Sequence, residues 1–88
     1  MVWYVYTIHT KEKLTLPEVK KLGITKRQIE RVVEKPIAID KSEYPVLIAV
    51  GALTKKLSLC VVYRKVKEGI RIITFYPAEK GRYERKIL

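Results

Sequence analysis

A chain of 88 residues has room for one small domain that buries roughly 60–65 % of its unfolded surface, which excludes a second core and a deep, closed substrate cavity. An apolar share of 48 %, with only four Gly and four Pro, also excludes extensive disorder. The net charge of +10, from 19 basic and nine acidic residues, favours a polyanionic partner, the competing explanation being a thermophile-like surface rich in Lys, Glu and Arg.

The charge is uneven. Residues 1–54 carry nine Lys/Arg and six Asp/Glu, or +3, whereas residues 55–88 carry ten and three, or +7. Cys60, the sole cysteine, lies in an apolar run, cannot form an internal disulfide, and is expected to be a small buried hydrophobe in a cytoplasmic protein. Met1 to Tyr6 has neither the basic start nor the long apolar centre of a signal peptide. No apolar run approaches the roughly 18–20 residues needed to span a bilayer, so no membrane partner is expected.

In chain order, Met1 to Ile8 is aromatic and β-branched and predicts a first strand, with Trp3, Val5 and Thr7 on one face and Val2, Tyr4, Tyr6 and Ile8 on the other. His9 closes it, at the start of a polar connection. Thr15 as cap, Pro17 in the first turn and Glu18 in a capping box predict a short helix carrying Leu16, Val19 and Leu22, ended by Gly23. Thr25 caps a second helix over about 25–35, with Gln28 at the third position. Its apolar stripe is Ile29, Val32 and Val33, and Pro36 forces its exit. The two helices form a hairpin around Gly23 and Ile24.

Ile37 to Asp40 reads as a short strand, Asp40 to Glu43 as a turn, and Tyr44 or Val46 to Leu53 as a longer strand with Gly51 as a candidate bulge. Leu57 to Arg64 alternates Leu57, Leu59, Val61 and Tyr63 against Ser58, Cys60, Val62 and Arg64. Ile70 to Pro77 alternates Ile70, Ile72, Thr74 and Tyr76 against Arg71, Ile73 and Phe75. The link from Lys65 to Gly69 is short enough for an antiparallel hairpin, and neither face of either strand is wholly polar, which predicts central positions covered on both sides. Glu79 to Leu88 fits either a last strand or a short helix. The expected plan is α+β, a β-α-α-β-β-β order with a possible further strand: a two-helix hairpin packed on one face of an antiparallel sheet.

There is no P-loop, no GxGxxG, no Ser-His-Asp signature and no paired carboxylates, and one His and one Cys do not make a metal cluster. No cofactor is expected. Chemistry falls to Arg, Lys, Tyr and His. The candidate surface comprises Lys55, Lys56, Arg64, Lys65, Lys67, Arg71, Tyr76, Lys80, Arg82, Tyr83, Arg85 and Lys86, where cations interleaved with phenols suit single-stranded RNA. Arginine's fork can hold a phosphate bidentately and neutralise charge gathering on it. His9 has a side chain whose ordinary pKa near 6.5 suits proton transfer.

A strand ending at His9, the Leu22 to Thr25 element opening a helix, Val33 to Pro36, Leu59 to Tyr63 and Ile72 to Pro77 together resemble small domains allied to BrnT and, more distantly, to the RelE/ParE toxins. The position before the Gly-Ile-Thr element, basic in those domains, is Leu22 here. The resemblance implies a cytoplasmic toxin-like component of a type II toxin–antitoxin system, held by an acidic antitoxin and acting on mRNA, free or ribosome-bound, as a metal-independent endoribonuclease. By the same resemblance Arg64, Arg71, Tyr83 and His9 are the expected catalytic set. The alternative is a non-catalytic module that binds nucleic acid or an acidic protein through residues 55–88. A homodimer paired through the first strand or the tail is a further expectation.

Overall fold

The computed structural model describes residues 3–80, and these form a small α+β fold of five strands and three helices. In chain order the elements are β1 (Trp3–Tyr6), α1 (Ile8–Lys13), α2 (Pro17–Lys21), α3 (Lys26–Glu34), β2 (Ala38–Asp40), β3 (Val46–Ala52), β4 (Leu57–Val66) and β5 (Gly69–Glu79). The strands lie in the order β1-β5-β4-β3-β2.

The β4–β5 hairpin is the centre of the sheet, as its two-sided apolar pattern predicts. β3 and β2 extend it antiparallel on one side. On the other side β1 pairs with β5 in parallel, so the sheet is mixed, where an antiparallel one was expected. Three helices separate β1 from the next strand, so no hairpin turn forces β1 to run antiparallel to its neighbour.

One face of the sheet carries the helices. Ile29, Val32 and Val33 of α3, Val19 of α2 and the intervening Ile24 pack onto Leu47, Ala49, Leu59, Val61, Tyr63, Ile72 and Phe75. Gly51, expected as a bulge, stays in register opposite Leu59. A Cβ there would lie 2.8 Å from Val32 Cγ2, so its missing side chain lets α3 approach β3. On the face opposite the described helices Val50, Ser58 and Cys60 are buried, which accords with the expected burial of Cys60.

The bulge lies in β5 instead. Val62 pairs with Thr74 but Tyr63 pairs with Ile72, leaving Ile73 as the extra residue. Simple alternation therefore fails across it. Phe75, read with Arg71, joins Ile72 on the helix face, while Thr74 and Tyr76 join Arg71 on the opposite face.

The first strand ends at Tyr6 rather than Ile8, because Thr7 caps α1 by accepting from the Thr10 amide. This third helix runs beside the outer edge of β5. Thr7 and Thr10 hydroxyls donate to the carbonyl of Ile73, at 3.0 and 2.9 Å, and the Lys13 ammonium donates to that of Phe75. At Thr15 the expected capping box does not form. Leu16 is the cap residue of α2, and the Thr15 hydroxyl bonds the Glu12 carbonyl instead. Thr25 does cap α3, accepting from the Gln28 amide at 3.2 Å, while the Gln28 side chain reaches the Ala52 carbonyl. Glu79 closes β5 and Lys80 lies in a turn; the choice between strand and helix beyond them lies outside the described residues.

Candidate nucleic-acid interface

Arg64 on β4 and Arg71 on β5 are direct cross-strand partners. Both are exposed, on the face opposite the three described helices. Their register row continues to Val5 on β1 and Val46 on β3, so valines flank the pair on both sides. The next row along the face is Val62 and Thr74. Neither guanidinium has an ion-pair partner among the described residues. Like charges directly opposite one another destabilise a sheet, and none of the flanking register positions carries a carboxylate. A phosphate seated between the two forks would relieve that repulsion through charge-assisted bonds.

The other cations are dispersed. Lys67 lies in the β4–β5 turn at the same end of the sheet. Lys65, the next residue after Arg64, points to the other face and lines a shallow depression with Lys41, Tyr44, Pro45 and Leu47. Lys55 and Lys56 occupy the β3–β4 turn, and Lys80 joins them, its amide bonding the Lys56 carbonyl and its ammonium the Thr54 carbonyl. Eight residues of strand separate that end from Arg64, about 26 Å at 3.3 Å per residue. Tyr76 is half-buried on the arginine face, two register rows beyond Arg64 and opposite Cys60.

His9 is on α1, past the end of β1, where it shares a depression with Glu12, Lys13 and Leu16 rather than with the arginine pair. Arg82, Tyr83, Arg85 and Lys86 lie outside the described residues. Among the described residues no group of three or more His, Cys, Asp and Glu is placed to hold a metal ion.

Sequence reasoning assigned no role to Trp3. Its register partner is Gly69, two residues before Arg71, so Trp3 and Val5 stand on the arginine face beside the pair. The indole is 65 % exposed and Val5 47 %. The alternation of β1 shows that Trp3 and Val5 share a face; only the pairing with β5 shows what they lie beside.

The opposite face of β1 is tied down. The Tyr4 hydroxyl donates to Glu34 Oε2 at 3.0 Å, the Tyr6 hydroxyl donates to Glu30 Oε2, and Lys26 Nζ stands 5.0 Å from the centre of the Tyr6 ring. Burial, then the bond to the Glu34 carboxylate, pushes the Tyr4 phenol up to about 12. Burial and Glu30 push Tyr6 up as well, and burial alone raises Tyr63. These phenols stay protonated at neutral pH, and those of Tyr4 and Tyr6 serve as donors rather than bases. Burial lowers Lys13, whose ammonium sits 4.9 Å from the centre of the Phe75 ring.

Among the described residues no helix is long and apolar enough to cross a membrane. No protein-family model matches the chain, and no curated protein or solved structure is significantly similar to it.

Proposed function

We propose that the chain binds RNA on the sheet face opposite the three described helices and acts as a toxin-like, metal-independent endoribonuclease with a RelE-like arrangement. The observation that carries the reading is the uncompensated Arg64–Arg71 pair, held side by side on two central strands. In this reaction the ribose 2′-hydroxyl attacks the adjacent phosphorus while a base takes its proton. The 5′-oxygen leaves as a hydroxyl on receiving a proton, and a 2′,3′-cyclic phosphate remains. Arg64 and Arg71 hold the phosphate and neutralise its growing charge. Tyr83 moves the proton, as the family resemblance implies, because His9 lies away from the pair on α1, and an acidic antitoxin is the partner that covers the basic face.

A second reading, a non-catalytic RNA-binding module, is favoured by one feature: Val5, Val46, Val62 and Thr74, the register neighbours of the arginine pair, include no proton-transfer group.

Both readings are tested by single-stranded RNA in EDTA with wild type, an Arg64→Ala/Arg71→Ala variant and a Tyr83→Phe variant. Cleavage to cyclic-phosphate ends that both variants lose supports the ribonuclease. Binding without cleavage, lost in the arginine variant, supports the module. No binding by wild type, or full binding by the arginine variant, overturns both.

A further inference from the structure

We infer that Trp3 is the base-stacking platform of this surface, and that its ligand is therefore single-stranded rather than duplex RNA. The inference rests on the RNA reading above and adds to it the residue that selects the unpaired strand.

Trp3 opposes Gly69, a position with no side chain to cover the indole, and is 65 % exposed. Arg71 is its diagonal neighbour, one strand across and two residues along, a Cα separation of about 8 Å from the ordinary strand spacing and rise, which long side chains bridge. A phosphate between Arg71 and Arg64 thus places an attached nucleotide within reach of the indole. Every base has a π-face to stack, but in an A-form duplex those faces are hidden, so the platform selects unpaired strands. Val5 completes an apolar floor beside the cations.

An anionic membrane is the rival ligand for an exposed tryptophan beside arginines. The register favours RNA. Arg71 stands on the strand next to Trp3 and Arg64 one strand further, so a phosphate held between them lies to one side of the ring, as a nucleotide with its base on the indole requires. Ile8, the other large exposed apolar side chain near β1, belongs to α1 and does not extend that floor.

The chain has one tryptophan, so its fluorescence reports this site alone. Full-length protein is titrated with a short single-stranded RNA, the same sequence as a duplex, and phosphatidylserine/phosphatidylcholine vesicles. Expected are quenching by single-stranded RNA, weaker binding of the duplex, and affinity for the single strand reduced roughly 5- to 150-fold in Trp3→Ala, with most of it retained in Trp3→Phe. Salt-sensitive RNA binding that needs Arg64 and Arg71 but leaves the fluorescence and the Trp3→Ala affinity unchanged overturns the platform and spares the RNA reading. A blue shift with vesicles and no response to RNA overturns both. Circular dichroism of Trp3→Ala separates a lost platform from a lost β1: an altered spectrum passes the decision to the quenching of wild type, which tests the platform without a substitution.

Discussion

Arg64 and Arg71 face one another with valines on both sides and no carboxylate at the flanking positions. A pair of this kind costs the free protein stability and repays it only when an anion is present. The sign of a substitution therefore distinguishes a binding pair from a structural one. Arg71→Gln is expected to leave the melting temperature at low salt unchanged or raise it, while weakening RNA binding. The thermal difference from wild type should shrink as added salt screens the pair. A lower melting temperature together with unaltered RNA binding would show that the guanidiniums support the fold.

At the scale of elements, β1 is held from two sides, by backbone pairing with β5 and by its two tyrosines on the exposed flank of α3. That second attachment depends on pH. The Tyr4 phenol is raised to about 12 in the fold against an ordinary value near 10. Its contribution is fully present below pH 10, because there both states keep the proton. Above pH 10 the unfolded chain loses its proton first, and the contribution is gone by about pH 12. Tyr4→Phe should therefore flatten the decline of unfolding free energy between about pH 10 and pH 12, measured against wild type so that lysine titration cancels. α1 is fastened in a different way, through hydroxyls that satisfy the carbonyl exposed by the β5 bulge. Because α1 buries only Thr10, it has no apolar stripe for periodicity to reveal.

Across the whole molecule the charge of +10 is a poor guide to location, because the described basic residues of the second half of the chain are split between the two ends of the long hairpin. Arg64, Arg71 and Lys67 share one end; Lys55, Lys56 and Lys80 share the other, about 26 Å away along β4. That separation exceeds the Debye length of about 8 Å at physiological salt. Lys55→Glu/Lys56→Glu is accordingly expected to change RNA affinity by no more than about twofold at 150 mM salt. Removal of each phosphate-contacting arginine should make the log–log salt slope shallower by about 0.7. An equal loss from charge reversal at the far end would mean that the footprint spans the sheet.

The α+β class, the Thr25 cap of α3 and the β4–β5 hairpin were legible in the amino-acid order, because each depends on residues close together along the chain. So was the sharing of a face by Leu57, Leu59, Val61 and Tyr63, since no bulge interrupts β4 opposite β3. The parallel placement of β1, the helix at Ile8–Lys13 and the one-residue slip at Ile73 were decided only by tertiary pairing. Trp3 and Gly69 are 66 positions apart, and local propensity carries no information about contacts at that distance. That pairing moved Tyr76 onto the arginine face, left His9 on the flank and set the indole of Trp3 beside Arg71. In a strand each residue added to one side of a pairing reverses every side chain beyond it, so a single slip is enough to redraw a surface.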